Sequence, residues 1–291
     1  MAINAYNETF RDVLNERLAE LEKHFQADVV FYYGEMNPGY LKVLRDFIEK
    51  LASDVNKKDT LVILLNTPGG SAEAVEKFVD IIRHHYKQVF FVVPDYAMSA
   101  GTIFCMSGDK IFMDYSSSLG PIDPQVFNGK EWVPALGYLD QVDKLLEKSR
   151  NNTITAAEFT ILQNLDLATL SRYEQARNLT ITLLKKWLVD YKFKDWRVHG
   201  TDPKKKNQAV TPQEKQQRAE EIAKLLNNNQ EWHSHGRMIG VKTLKEKLRL
   251  EIEDYSGDTK LKILIRSYND LMIEFIANSR YNLFLHSRLY F

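Results

Sequence analysis

The chain has 291 residues, 44% hydrophobic and 27% charged, enough to bury a large core as one domain or two small ones. Its 39 basic and 39 acidic side chains cancel, which excludes a whole-chain field for nucleic acid or an anionic membrane surface. The single cysteine, Cys105, excludes an intrachain disulfide and a thiolate metal cluster and suits a reducing, cytoplasmic setting. The first residues are too polar for a secretory leader, and no run reaches the roughly 18 apolar residues of a membrane span.

Phe10, Val13, Leu14, Leu18, Leu21 and Phe25 recur at helical spacing, so an amphipathic helix is predicted over about Asn7 to Phe25. Asp28 to Tyr33 is a β-rich run stopped by Gly34, and Pro38 opens a helix reaching Leu51. Leu61 to Leu65 and Gln88 to Val93 are short apolar runs, as expected of strands covered on both faces. A helix over about Ser71 to Tyr86 separates them, another covers about Ser99 to Ser107, and Lys110 to Met113 is a fourth strand. This alternation predicts a mostly parallel α/β sheet with right-handed crossovers.

Beyond Pro124 the strand signals fade. Pro134 to Lys148, Thr155 to Leu162 and Asp166 to Tyr191 read as helices, and the polar, basic stretch from Gly200 to Asn207 reads as a boundary or loop. Thr211-Pro212-Gln213-Glu214 combines an N-cap, a first-turn proline and a capping-box glutamate, opening a helix to Leu226. Helical patterns return near Val241 to Leu248 and over Leu261 to Ala277. The aromatic residues Tyr281, Phe284, Tyr290 and Phe291 predict a tail that packs on the body or on a neighbouring subunit. The expected division is an N-terminal helix over 1–27, a core over 28–150, a helical extension over 151–199 and a C-terminal helical region over 200–291 packed on the core.

Chemistry concentrates at two strand-to-helix junctions. Gly69 and Gly70 lack side chains, so the backbone after the second strand can approach a ligand and aim N–H groups at developing negative charge. A serine at a helix start is ordinarily an N-cap, but Ser99 is flanked by Ala97, Ala100 and Gly101, which leave its oxygen accessible beside the Ala100 N–H. Other clusters weigh less. His233 and His235 lack a nearby carboxylate or cysteine to complete a metal set, so no metal or other cofactor is expected. His84-His85 suits a helix C-terminus, and Lys204-Lys205-Lys206 reads as a solvated loop rather than a nucleic-acid contact.

In order, Leu64-Leu65-Asn66-Thr67-Pro68-Gly69-Gly70, Met98-Ser99-Ala100-Gly101-Thr102, Ser107-Gly108-Asp109-Lys110-Ile111-Phe112-Met113 and Ser118-Leu119-Gly120-Pro121-Ile122-Asp123-Pro124-Gln125 resemble the ClpP/crotonase fold. Within it the chain is most similar to the serine dehydrogenase proteinase family, allied to the signal peptide peptidase A group. The core resemblance covers roughly Asp28 to Arg150, and the later Thr211-Pro212-Gln213-Glu214 and Ser234-His235-Gly236-Arg237 extend it. The resemblance implies a serine peptidase in which Ser99 is the nucleophile and Gly70 and Ala100, with Gly69 as neighbour, supply the oxyanion hole. It also implies a homo-oligomer acting on a peptide, an unfolded chain or a membrane protein, in the cytoplasm, with any membrane association made through partners.

The general base stays open. A ClpP-type triad calls for a histidine near Leu119 to Pro124, and none is there. The signal peptide peptidase A group uses a lysine instead, for which Lys144 and Lys148 are the candidates on the helix after Pro134, with His235 as the alternative. Two other readings use the same fold: a crotonase-type enzyme holding an acyl-CoA enolate in the same donors, and a non-catalytic assembly protein.

Overall fold

A computed structural model describes residues 2–127, 132–200 and 205–290. In chain order the elements are α1 (Ala2–Phe25), β1 (Asp28–Gly34), α2 (Leu41–Ala52), β2 (Thr60–Asn66), α3 (Ala72–His85), β3 (Gln88–Val93), β4 (Tyr96–Ala97), α4 (Ala100–Met106), β5 (Lys110–Met113) and β6 (Ser118–Leu119). There follow β7 (Gln125–Phe127), β8 (Trp132–Pro134), α5 (Ala135–Arg150), α6 (Ala156–Gln163), α7 (Leu167–Trp187), α8 (Pro212–Leu226), α9 (Asn229–Trp232), α10 (Val241–Glu246), β9 (Glu253–Asp254), α11 (Thr259–Ser279) and β10 (Leu283–His286). A 3-10 turn at Pro38–Tyr40 leads into α2, and α7 runs on into a π turn at Leu188–Lys192.

The main sheet has the order β10-β1-β2-β3-β5-β9. Its pairs are parallel except β10 on β1, which is antiparallel with Tyr33 opposite Phe284. The fold is therefore the expected mostly parallel α/β core with helices added at both ends. Because successive side chains of a strand leave on opposite faces, the apolar runs serve two cores at once. Val30, Tyr32, Ile63, Leu65, Phe91 and Val93 pack with α2, α3, α4, α7 and α8. Val29, Phe31, Val62, Leu64 and Val92 point the other way, against Leu14, Leu18 and Leu21 of α1 and Ile265, Tyr268 and Met272 of α11. Covered on both faces, β1, β2 and β3 can be apolar almost throughout.

One expectation needs correction. The chain beyond Pro124 is not strand-free: it contributes the β7–β8 hairpin and both edge strands of the main sheet, β9 and β10. These strands have two to four residues each, too short to show an alternating pattern. The aromatic tail is in part such a strand: Phe284 lies in β10, and the Tyr290 ring lies 5.1 Å from that of Phe47 on α2. Phe291, and residues 201–204 of the expected loop with Lys204 among them, lie outside the described residues. Among the described residues no helix is long and apolar enough to cross a membrane.

Candidate active site

The parallel strands β2 and β3 end side by side, and the chain leaves them in two turns that hydrogen-bond to each other. Thr67 N–H donates to Tyr96 O at 3.1 Å, and Met98 N–H donates to Thr67 O at 3.0 Å. Crevices beyond the carboxyl ends of parallel strands are where α/β sheets place their ligands.

Ser99 stands at the start of α4 with φ 52° and ψ −116°, a conformation that costs a non-glycine residue about 1–3 kcal/mol and is tolerated where the surroundings enforce it. Gly101 N–H to Met98 O (2.8 Å) and Ile103 N–H to Ser99 O (3.2 Å) hold this elbow. As a result the Ser99 side chain does not cap its helix, and it takes no hydrogen-bond partner among the described residues. A serine raised on a sharp strand-to-helix turn is the geometry of a presented nucleophile. Cys105, six residues onward, is no rival, because burial raises its thiol pKa.

The glycine turn fits against this elbow. Gly69 (φ 107°) lies so close that a Cβ there would stand 2.8 Å from both Met98 O and Ser99 Cβ. Gly70 (φ 139°) packs on Met36, with Met36 N–H bonded to Gly69 O at 2.7 Å and Ser71 N–H bonded to Met36 O at 2.8 Å. Both glycines occupy φ values that side chains rarely adopt. Gly69, expected among the donors, instead spends its N–H on Thr67 Oγ1 at 3.0 Å. The N–H groups of Gly70 and Ala100 take no partner among the described residues, and they come from the two turns that meet at Ser99.

A third segment runs beside the elbow. β6 pairs in parallel with β4, and the buried Thr102 hydroxyl bridges Ala97 O and the Gly120 backbone at 2.9 Å. Three residues past Gly120, the buried carboxylate of Asp123 meets His235 Nδ1 at 2.9 Å, and its other oxygen accepts from Gln125 Nε2 at 3.1 Å. The histidine arrives from 112 residues downstream. Its loop is pinned by paired bonds between Leu119 and Ile239 (3.0 and 2.8 Å), and the Asp123 stretch is held by Ile122 N–H to Leu226 O at 3.1 Å. An ionised carboxylate accepts only, so the contact places the ring proton on Nδ1 and leaves Nε2 as the basic nitrogen.

The lysine candidates lie on α5. Lys144 is exposed on α5, and Lys148 on the same helix is half exposed and paired with Glu158, whose carboxyl it helps pull down to about 2. The sequence reading missed Asp123 as a partner. The signal was its position: it occupies the Leu119 to Pro124 stretch, where an imidazole rather than a carboxylate was sought.

A family model described as ClpP-like SDH-type serine proteinase matches residues 42–201, more than half of the chain. Two uncharacterized proteins of Methanocaldococcus jannaschii are similar over shorter segments. One is 30% identical over 98 residues, covering 34% of this chain and 32% of the relative; the other is 37% identical over 70 residues, covering 24% of each. The matches thus span about a third and a quarter of these relatives. Among solved structures, a serine-to-alanine mutant of the 1510-N membrane-bound stomatin-specific protease superposes with a TM-score of 0.45 at 14% identity, covering 80% of each chain. A lysine-to-alanine mutant of the same protease with a substrate peptide gives 0.44 at 16%, covering 78% of this chain and 73% of the other.

Proposed function

Since the chain belongs to the ClpP-like SDH-type serine proteinase family, we propose that it cleaves peptide bonds through Ser99, with Asp123 and His235 as its proton-transfer couple. The observation that carries this reading is the 2.9 Å contact between a buried carboxylate and an imidazole on the segment clamped against the nucleophile elbow.

In the proposed reaction Ser99 Oγ attacks the scissile carbonyl carbon while His235 Nε2 takes the hydroxyl proton. The carbonyl oxygen becomes an oxyanion held by the Gly70 and Ala100 N–H groups. The imidazolium, steadied by Asp123, then gives its proton to the departing amine, leaving an acyl-enzyme. Water repeats the sequence from the other side and restores the free serine. Preorganised N–H donors of this kind are worth about 10²–10³ in turnover each. The order Ser…Asp…His differs from a ClpP-type order, and such a triad is recognised by geometry rather than sequence position.

The test is acylation of the purified chain by a fluorophosphonate probe alongside turnover of an unfolded protein substrate. Ser99→Ala is expected to abolish both while leaving the circular dichroism spectrum unchanged. Turnover that survives in Ser99→Ala removes the assignment.

A further inference from the structure

The two turns of the candidate site are joined by backbone bonds and also, from behind, by one side chain of α11. Asn269 is buried, with its Oδ1 accepting from Asn66 Nδ2 at 2.7 Å and its Nδ2 donating to Asp95 Oδ2 at 2.8 Å. Asn66 is the last residue of β2, three before Gly69; Asp95 precedes Ser99 by four. Asp95 also fixes the third segment, since its carbonyl accepts Ser118 N–H at 2.9 Å. The carboxamide of Asn269 therefore spans the same gap as the Thr67 backbone bonds, from the side of α11.

Stability alone does not explain this bridge. Asn66 is fully buried, and its Oδ1 has no hydrogen-bond partner. An unmet buried acceptor costs stability, a penalty that an aliphatic side chain at the same place would not incur. The strand residues on this face of the sheet are Val29, Phe31, Val62, Leu64 and Val92, so a polar pair here is an exception within an apolar layer. What the amides supply is direction: an amide with one end on each turn fixes the separation of the two turns, which apolar contact does not.

We propose that Asn269 is a positioning residue whose carboxamide, lodged between Asn66 and Asp95, sets the spacing of the Gly70 and Ala100 N–H donors. The inference rests on the serine peptidase reading, because it assigns those donors an oxyanion to hold. Asn269 touches neither Ser99 nor substrate; it acts through the turns. The charged groups facing its amide are Asp95 across the gap and Asp270 beside it on α11, the latter at 3.5 Å.

The experiment compares the second-order rate of fluorophosphonate acylation, and kcat and KM for a peptide ester, in wild type, Asn269→Leu and Asn269→Asp. Loss of donor spacing is expected to slow acylation in Asn269→Leu by about tenfold to a hundredfold, with KM within about twofold of wild type. Asn269→Asp provides a readout that a purely structural role would not move. At high pH its carboxylate opposes Asp95 and acylation is slow; as the pH falls the introduced carboxyl takes a proton and can donate to Asp95 again. The ratio of variant to wild-type rate is therefore expected to rise between pH 8 and pH 5. If Asn269→Leu does not fold, the Asn269→Asp ratio alone decides. A labelling wild type with variants at wild-type rate and a flat ratio overturns the inference and leaves the peptidase reading standing. A wild type that never labels overturns both.

Discussion

At the scale of single residues the site depends on positions where the side chain, or its absence, is not interchangeable. Ser99 holds a positive φ that only enforced turns sustain, and Gly69 is the point where the second turn touches it. Both were legible in sequence, because small residues around a serine and a glycine pair after an apolar run mark close backbone approach. The Asp123–His235 contact was not legible, since nothing local ties two residues 112 positions apart. If these two act with Ser99 as a unit, Asp123→Asn and His235→Ala each lower kcat by about 10²–10⁴-fold with little change in KM. Combining them should cost hardly more than the worse single change. Lys144→Ala and Lys148→Ala should leave kcat within about twofold of wild type. Steady-state kinetics on the four variants checks this, and a strong Lys144 effect with a silent His235 would transfer the base to α5.

At the scale of elements, the strands with five or more apolar residues were visible because burial on two faces leaves no polar positions to interrupt them. The short edge strands were not, and they are held by side chains outside themselves. β10 lies on the open edge of β1, and the chain just beyond it is anchored by Arg288, which reaches Glu22 of α1 at 2.7 Å, Asp28 of β1 at 2.8 Å and Asp54 after α2 at 3.0 Å. Asp28 is fully buried and also accepts from Tyr86 Oη at 2.9 Å. Removing the only guanidinium in this group strands carboxylates in the interior. Arg288→Ala is therefore expected to destabilise the fold by about 3–5 kcal/mol in denaturant titration. A change under about 1 kcal/mol would mean that β10 is held by its backbone pairing alone.

At the scale of the whole molecule, the two cores on opposite faces of the sheet unfold together if the sheet between them is the common support, so a proton taken up at one edge is felt throughout. His286, at the end of β10, is buried with Nδ1 2.6 Å from Tyr268 Oη, and burial lowers its pKa to about 4. The folded value lies below the unfolded value of about 6.5, so the unfolded chain binds the proton more readily between them. Stability from this group is complete above about pH 6.5 and falls as the pH drops towards 4, by about 3 kcal/mol in all. His286→Gln should flatten that part of the acid limb in guanidinium titrations at pH 7, 5.5 and 4.5; an unaltered slope would place the proton elsewhere.

The long reach from Asp123 to His235 also has a meaning in time. A ribosome delivers Gly70, Ser99 and Ala100 first and reaches His235 only 112 positions after Asp123, which at about 5–20 residues per second takes about 6–22 seconds. With His235 as the base, a nascent chain carries the nucleophile without the group that activates it for the whole of that interval. On that proposal cutting is deferred until α8 and the loop beyond it have been made, when only α10, β9, α11 and β10 remain to be added.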